Sequence, residues 1–173
     1  AVVQQITANG GQAVAVQGDV SQAADVAQLI QRTIAAFGRV DLLINNAGAY
    51  PLASVLEMSG TQWDEVINAN LRSAFLCTQA AARQMIAQGS GGAIVNITSI
   101  EAENPAPLHS HYNAAKGGLL MYTRAAANEL AAHNIRVNAV APGLIWREGL
   151  DQGWPDGVAR WQQAAPLRRL GLP

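Results

Sequence analysis

Apolar residues along this chain follow two alternating patterns. Continuous apolar runs lie at 13–17, 40–44, 93–97 and 137–141. Short runs without polar alternation predict strands covered on both faces, as in a parallel sheet. Between the runs, apolar residues recur every three to four positions, the period of a helix with one buried face. In the first such stretch the face is Val26, Leu29, Ile30, Ile34 and Phe37. Ser21 is its candidate N-cap, Asp25 suits the positive end of its dipole, and Gly38 ends it. A second helix is predicted to start after Thr61, where T-x-x-D to Asp64 resembles a capping box, and to run to the Gly-Ser-Gly-Gly stretch at 89–92. Its expected buried stripe is Trp63, Val66, Ile67, Leu71, Phe75, Thr78 and Met85. A third helix spans roughly 110–133, with Leu119, Leu120 and Leu130 as core candidates. Strand and helix thus alternate, which predicts an α/β fold. Beyond Pro142-Gly143 the pattern dissolves. Residues 144–173 are expected to form a lid or substrate loop with a short helix near 156–164.

Composition narrows the picture. A chain of 173 residues, half of them hydrophobic, suits a single domain with a sizeable core. A net charge of −1 argues against a nucleic-acid or anionic-membrane partner, since both favour a basic excess. Arg160, Arg168 and Arg169 read as a solvated or subunit-facing patch. Cys77 is the only cysteine, so no disulfide framework or thiolate metal cluster is expected; a small core or interface residue in a cytoplasmic protein fits. No apolar run approaches the length of a membrane span. The chain opens at Ala1 inside a helical pattern without a Met, so its true start is expected to lie elsewhere.

Candidate chemistry centres on Tyr112 and Lys116. One helical turn separates them, which sets their Cβ atoms about 6 Å apart on one face. A phenol with its ordinary pKa of about 10 is a poor base at neutral pH. A neighbouring ammonium favours the phenolate and is expected to pull that value down. By itself Tyr-x-x-x-Lys also describes an amphipathic helix with a solvated lysine. Its context adds to it. Ser99 lies just past the run at 93–97, Asn45-Asn46-Ala47-Gly48 follow the run at 40–44, and Pro142-Gly143 follow the run at 137–141. In open α/β sheets, sites form outside the carboxyl ends of the strands. Three strand ends therefore deliver polar or glycine-bearing turns to one edge.

These stretches resemble the classical short-chain dehydrogenase/reductase family. The matching segments are DLLINNAG at 41–48, Asn70 within NANL, IVNITS ending at Ser99, YNAAK at 112–116 and RVNAVAPG ending at Gly143. The resemblance implies a Rossmann-like, doubly wound parallel sheet that binds NAD or NADP. It also implies hydride transfer between the nicotinamide and an alcohol or carbonyl carbon. Tyr112 would be the acid/base, Ser99 would hold the substrate oxygen, and Lys116 would bind the nicotinamide ribose while tuning Tyr112. Asn70 would hold a helix kink and a water linked to Lys116. The implied cofactor contacts are Asp19 and Val20 beside the adenine, Asn45, Ala47 and Gly48 along the adenosine ribose, and Pro142, Gly143 and Ile145 towards the carboxamide. Asp19 equally reads as a loop residue capping the next helix. A homotetramer packed through the helices at 64–88 and 110–133 is implied as well.

The chain also departs from the family pattern. No G-x-G-x-x-G phosphate loop follows a strand, and the residue that selects NAD or NADP is missing with it. The resemblance thus covers a single, partial domain, 1–173, without the family's first two strands and last strand. Those first strands would separate 13–17 from 40–44, leaving a strand edge unpaired. The segment is therefore expected not to fold or work alone, and 13–17 not to pair directly with 40–44. Trp146-Arg147 stand where the family often has a Thr. Arg147 either faces an anionic substrate or is a mobile loop arginine.

Between Ser99 and Tyr112 the chain is polar, with Glu101, Glu103, Asn104, His109 and His111. This stretch is similar to the corresponding loop of sugar dehydrogenases and suits a sugar, polyol or small keto compound; surface polarity is the alternative. No metal is assigned. Two competing functions are a non-catalytic dinucleotide sensor on the same scaffold and a sugar-nucleotide epimerase or dehydratase. The complete Ser99–Tyr112–Lys116 set speaks against the first, and the NNAG form with a short loop after Gly143 against the second.

Overall fold

The computed structural model describes residues 1–172. Strands β1 (Leu42–Asn45), β2 (Gly92–Ile97) and β3 (Ile135–Val140) form one parallel sheet in the order β1-β2-β3. Leu42 pairs with Ala93, and Ile94 pairs with Val137. The helices are α1 (Val2–Ala8), α2 (Ala23–Phe37), α3 (Gly60–Ile67), α4 (Ser73–Gln88), α5 (Ser110–Leu130), α6 (Leu150–Gly153) and α7 (Pro155–Ala164). The fold is α/β and Rossmann-like, as the sequence predicts. The short helix expected near 156–164 is α7.

The run at 13–17 is not a strand. It is irregular, Val14 is 43% exposed, and nothing pairs with it. Strand geometry needs a neighbouring ladder to satisfy its backbone groups, and β1 does not supply one to this segment.

Nor are the strands covered on both faces. The crossovers from β1 to β2 and from β2 to β3 step in the same direction across the sheet, so right-handed connections place their helices on one side. There Ala81 and Met85 of α4 and Ala126 of α5 close on Ile94, Ile135 and Val137. On the other side Leu42, Ile44 and Val140 are 54%, 55% and 51% exposed.

Helix ends also differ from expectation. The N-cap of α2 is Gln22 rather than Ser21, with the turn closed by Asp19, whose Oδ1 accepts from Ser21 N at 2.9 Å. Gly38 ends α2 in the left-handed region, as its position predicts. The capping box of α3 is Ser59 with Gln62, not Thr61 with Asp64. Gln62 N donates to Ser59 Oγ at 3.2 Å, and Ser59 N donates back to Gln62 Oε1 at 2.9 Å. The longer amide side chain reaches the N-cap backbone, so S-x-x-Q wins over the T-x-x-D pattern that follows it. Ser59→Ala is expected to lower stability by about 1 kcal/mol, read as a lower urea midpoint at unchanged slope.

The single long helix expected from 61 to 89 is two helices joined by a π-turn at Asn68–Arg72. Val66, Thr78 and Met85 are buried, but Trp63 and Phe75 are 40% and 41% exposed. A π-turn widens the helix by one residue and rotates everything after it. A stripe read at constant period through Asn70 therefore cannot stay on one face.

Candidate active site

Because the strands are parallel, their carboxyl ends share one edge, and the sequence-predicted residues gather there. Ile100 N donates to Pro142 O at 3.0 Å and Thr98 N to Val140 O at 2.8 Å, locking the exit of β2 against that of β3. This fixes Ser99 between them. The first two turns of α5 pass beside it and present Tyr112 and Lys116. Ser99 Oγ accepts from Glu101 N at 3.1 Å, and the Ser99 hydroxyl lies near enough to the Tyr112 phenol to favour its ionised form. Lys116 is 4% exposed; its Nζ donates to Ile97 O at 2.8 Å and lies 5.6 Å from the centre of the Tyr112 ring. Tyr112 and Lys116 do share one helix face, and the strand-end hydroxyl is within reach.

Asn70 occupies the π-turn and is 1% exposed. Its Nδ2 donates to Val66 O at 2.9 Å, one turn back, and to Ala49 O at 2.7 Å. The side chain thus ties the widened turn to the loop after β1. Its Oδ1 is buried without a partner. Gly48 presses against this group: a Cβ there would lie 2.5 Å from Asn70 Oδ1 and 3.7 Å from Lys116 Nζ. Gly48→Ala is expected to cost about 1–3 kcal/mol through forced displacement of Asn70. Thermal unfolding and turnover, measured together, should both fall.

The electrostatics correct one expectation. Burial pushes the Tyr112 phenol above its ordinary value; the Ser99 hydroxyl opposes this, while Glu101 and Tyr50 add to it. Lys116 does not pull the phenol down, because it is desolvated itself, with its pKa lowered to about 8, and sits under the ring rather than at the hydroxyl. The resting site therefore holds a protonated phenol near a serine hydroxyl, two groups able to donate to a carbonyl oxygen.

The expected cofactor residues are less uniformly placed. Val20, Asn45 and Ala47 line one pocket together with Ser73 and Cys77, next to Gly48 and the Lys116 end of the cleft. The Asp19 carboxylate is taken up by its own turn, accepting from Ser21 N ahead of the Gln22 N-cap, so it does not cap α2. The Asn45 side chain points into the protein, donating to Asn96 Oδ1 at 2.8 Å and Thr78 Oγ1 at 3.1 Å. Only its backbone remains for a ligand. Gly143 lies beneath Trp161 of α7, where any Cβ would meet the ring at 2.2 Å. Ile145 bridges to Gly171 and Pro142 anchors Ile100. These three hold the segment after β3 in place at the same edge.

Residues 1–152 match the sequence profile of the short chain dehydrogenase family. The chain belongs to the short-chain dehydrogenase/reductase family. It is 42% identical over 173 residues to a 3-oxoacyl-[acyl-carrier-protein] reductase of Synechocystis sp., covering all of this chain and 68% of that protein. It is 39% identical to a 2-dehydro-3-deoxy-D-gluconate 5-dehydrogenase of Escherichia coli, covering 99% of this chain and 68% of the relative. The crystal structure of acetoin dehydrogenase from Enterobacter cloacae superposes with a TM-score of 0.85 at 43% identity, over 98% of this chain and 67% of that one. Membership in the short-chain dehydrogenase/reductase family makes this an NAD(P)-dependent oxidoreductase of alcohol or keto groups.

The residues present fit a dinucleotide. Val20, Asn45 and Ala47 line an apolar pocket at the strand end that suits part of such a group, and the bare Gly48 backbone beside it packs directly on Asn70. When bound, NAD(P) supplies the hydride acceptor or donor.

Several features of the site escape sequence reasoning. Asn96 Nδ2 donates to Thr123 Oγ1 at 2.9 Å and completes a buried polar chain from Asn45 to α5. Tyr50 packs edge-on against Tyr112 with ring centres 6.4 Å apart, and Arg147 Nη1 donates to the Tyr50 hydroxyl at 3.0 Å. Glu101 Oε2 and His109 Nδ1 lie 2.9 Å apart beside Tyr112. Two of these pairs join residues from distant loops. Only the polar character of the 99–112 stretch signals the third.

Proposed function

We propose that the protein interconverts a secondary alcohol and a ketone within a sugar, polyol or small keto compound, using Ser99, Tyr112, Lys116 and Asn70. The observation that carries this reading is the buried Lys116 ammonium beneath the Tyr112 ring, bonded to Ile97 O at the strand end that leads into Ser99. In reduction, Tyr112 donates its proton to the developing alkoxide while Ser99 holds the same oxygen. In oxidation, the phenolate takes the alcohol proton. Lys116 would meet the nicotinamide ribose, with its charge favouring the phenolate once both groups are aligned. The unpartnered Asn70 Oδ1, close to Lys116 across Gly48, suits a water that carries protons away from the lysine. Asn45, Ala47, Gly48 and Val20 line the adenosine side, and Pro142, Gly143 and Ile145 the carboxamide side.

Two of these relatives are named for small oxygenated compounds, acetoin and a dehydro-deoxy-gluconate, which supports such a substrate, whereas the reductase is named for a 3-oxoacyl group borne on a carrier protein. The test is to incubate the full-length enzyme with NADH or NADPH and a panel of ketoses, keto acids and small diketones, following loss of reduced cofactor. Turnover of at least one, abolished by Tyr112→Phe, is expected. Tight cofactor binding with no turnover of any carbonyl would instead make the protein a dinucleotide sensor.

We also infer a homotetramer through α4 and α5. Phe75, Ile86 and Met121 on these helices are 41%, 40% and 61% exposed, which suits subunit contact better than water. Sedimentation velocity of the full-length protein should give a tetramer; a monomer would refute this.

A further inference from the structure

Unpaired polarity in this molecule is concentrated in one place. Among the described residues, the buried side-chain nitrogen and oxygen atoms without a partner belong to Asn70 and to His109, Ser110, His111 and Asn113. The last four open α5, just ahead of and around Tyr112. An unmade hydrogen bond at a buried polar atom costs about 1–3 kcal/mol, so such atoms cluster where a ligand completes them.

His109 is the best constructed of the group. It is 6% exposed, its Nδ1 lies 2.9 Å from Glu101 Oε2, and Glu101 itself is largely covered. The carboxylate accepts from Nδ1–H and so fixes both the ring's orientation and its tautomer, leaving Nε2 as the free position. The imidazole packs on the catalytic ring, with centres 5.5 Å apart and planes tilted by 53°. A group held this firmly and left with one unused nitrogen next to the reacting phenol is built to take a second oxygen. Ser99 and Tyr112 already hold the first. Two other polar side chains beside the ring are already engaged, Tyr50 with Arg147 and Lys116 with Ile97 O.

We propose that His109, oriented by Glu101, is a specificity-determining residue that hydrogen-bonds an oxygen on the carbon next to the reacting one. The site would thus select vicinally oxygenated substrates, such as hydroxyketones, diketones and diols, over ketones and alcohols bearing a single oxygen. This rests on the oxidoreductase reading above and narrows its substrate class.

The matched probes are 2-butanone, 3-hydroxy-2-butanone and 2,3-butanedione, which share a carbon skeleton and differ only in the neighbouring oxygen. With full-length enzyme and its preferred nicotinamide, kcat/KM should favour the two oxygenated compounds by roughly tenfold or more. His109→Phe keeps the ring and removes the nitrogens. It should lower kcat/KM for 3-hydroxy-2-butanone by roughly 10- to 100-fold and for 2-butanone by less than about threefold. His109→Gln, which restores a hydrogen-bonding group, should recover part of the ratio. If His109→Phe does not fold, Glu101→Gln carries the test: freeing the imidazole should lower the ratio at least about threefold. Equal losses on both substrates, or an unchanged ratio, overturn the proposal. Absence of turnover on every carbonyl in the unmodified enzyme overturns the oxidoreductase reading itself, so the two failures are distinguishable.

Discussion

Tyr112→Phe removes one oxygen and is expected to lower kcat by roughly a hundred- to ten-thousandfold, the usual contribution of a positioned general acid. The ring keeps its edge contact with Tyr50 and its place above Lys116, so the fold and the dinucleotide pocket should be unaffected. Cofactor affinity, measured by fluorescence titration, should change little. The loss should fall on kcat rather than KM, since the phenol proton matters most as negative charge develops on the substrate oxygen. Ser99→Ala should cost less, because it leaves the proton donor in place and removes only a supporting hydrogen bond. A Tyr112→Phe enzyme retaining a tenth or more of its activity would mean that another group delivers the proton.

Lys116→Met is expected to make the cofactor-free protein more stable while nearly abolishing activity. The ammonium is buried with a single hydrogen bond, to Ile97 O, and its pKa is lowered to about 8 from an ordinary 10.5. A lysine whose folded pKa lies below its unfolded value opposes folding most where both states are protonated, below about pH 8. The cost there is about 3 kcal/mol, taken from the shift. As pH rises from 8 towards 10.5 the unfolded chain holds more protons than the folded one, so the penalty fades. The stability gain of Lys116→Met should therefore be largest at neutral pH and vanish above the ordinary lysine value. Urea unfolding at several pH values measures it. A variant less stable than the parent at pH 7 would show that the cation is held by more than the structure records.

The gathering of Ser99, Tyr112 and Lys116 was legible because its logic is local. One helical turn fixes Tyr112 relative to Lys116, and an apolar run followed by Ser99 marks a strand end wherever the rest of the chain goes. The sheet was legible for the same reason, apart from the run at 13–17. That run is apolar enough for a strand, but a strand also needs a partner that its own sequence does not contain. The π-turn at Asn70 was visible only as a poor helix former in an awkward place. Its consequence for the residues beyond it, such as the exposed Phe75, follows from a change in register that no propensity encodes. Tyr112 and Lys116 moved opposite to the simple ion-pair argument because burial depends on the whole cleft. The Glu101–His109 pair stayed hidden because the loop must fold back on itself, through a left-handed backbone at Leu108 (φ 63°), before the two can meet.

Tyr50 follows the first strand of the sheet and Arg147 follows the third, so their contact ties two loops together beside the Tyr112 ring. It is one exposed hydrogen bond, worth about 1 kcal/mol, which thermal motion breaks readily. A tie this weak couples the two loops only loosely, like a latch that opens at a touch.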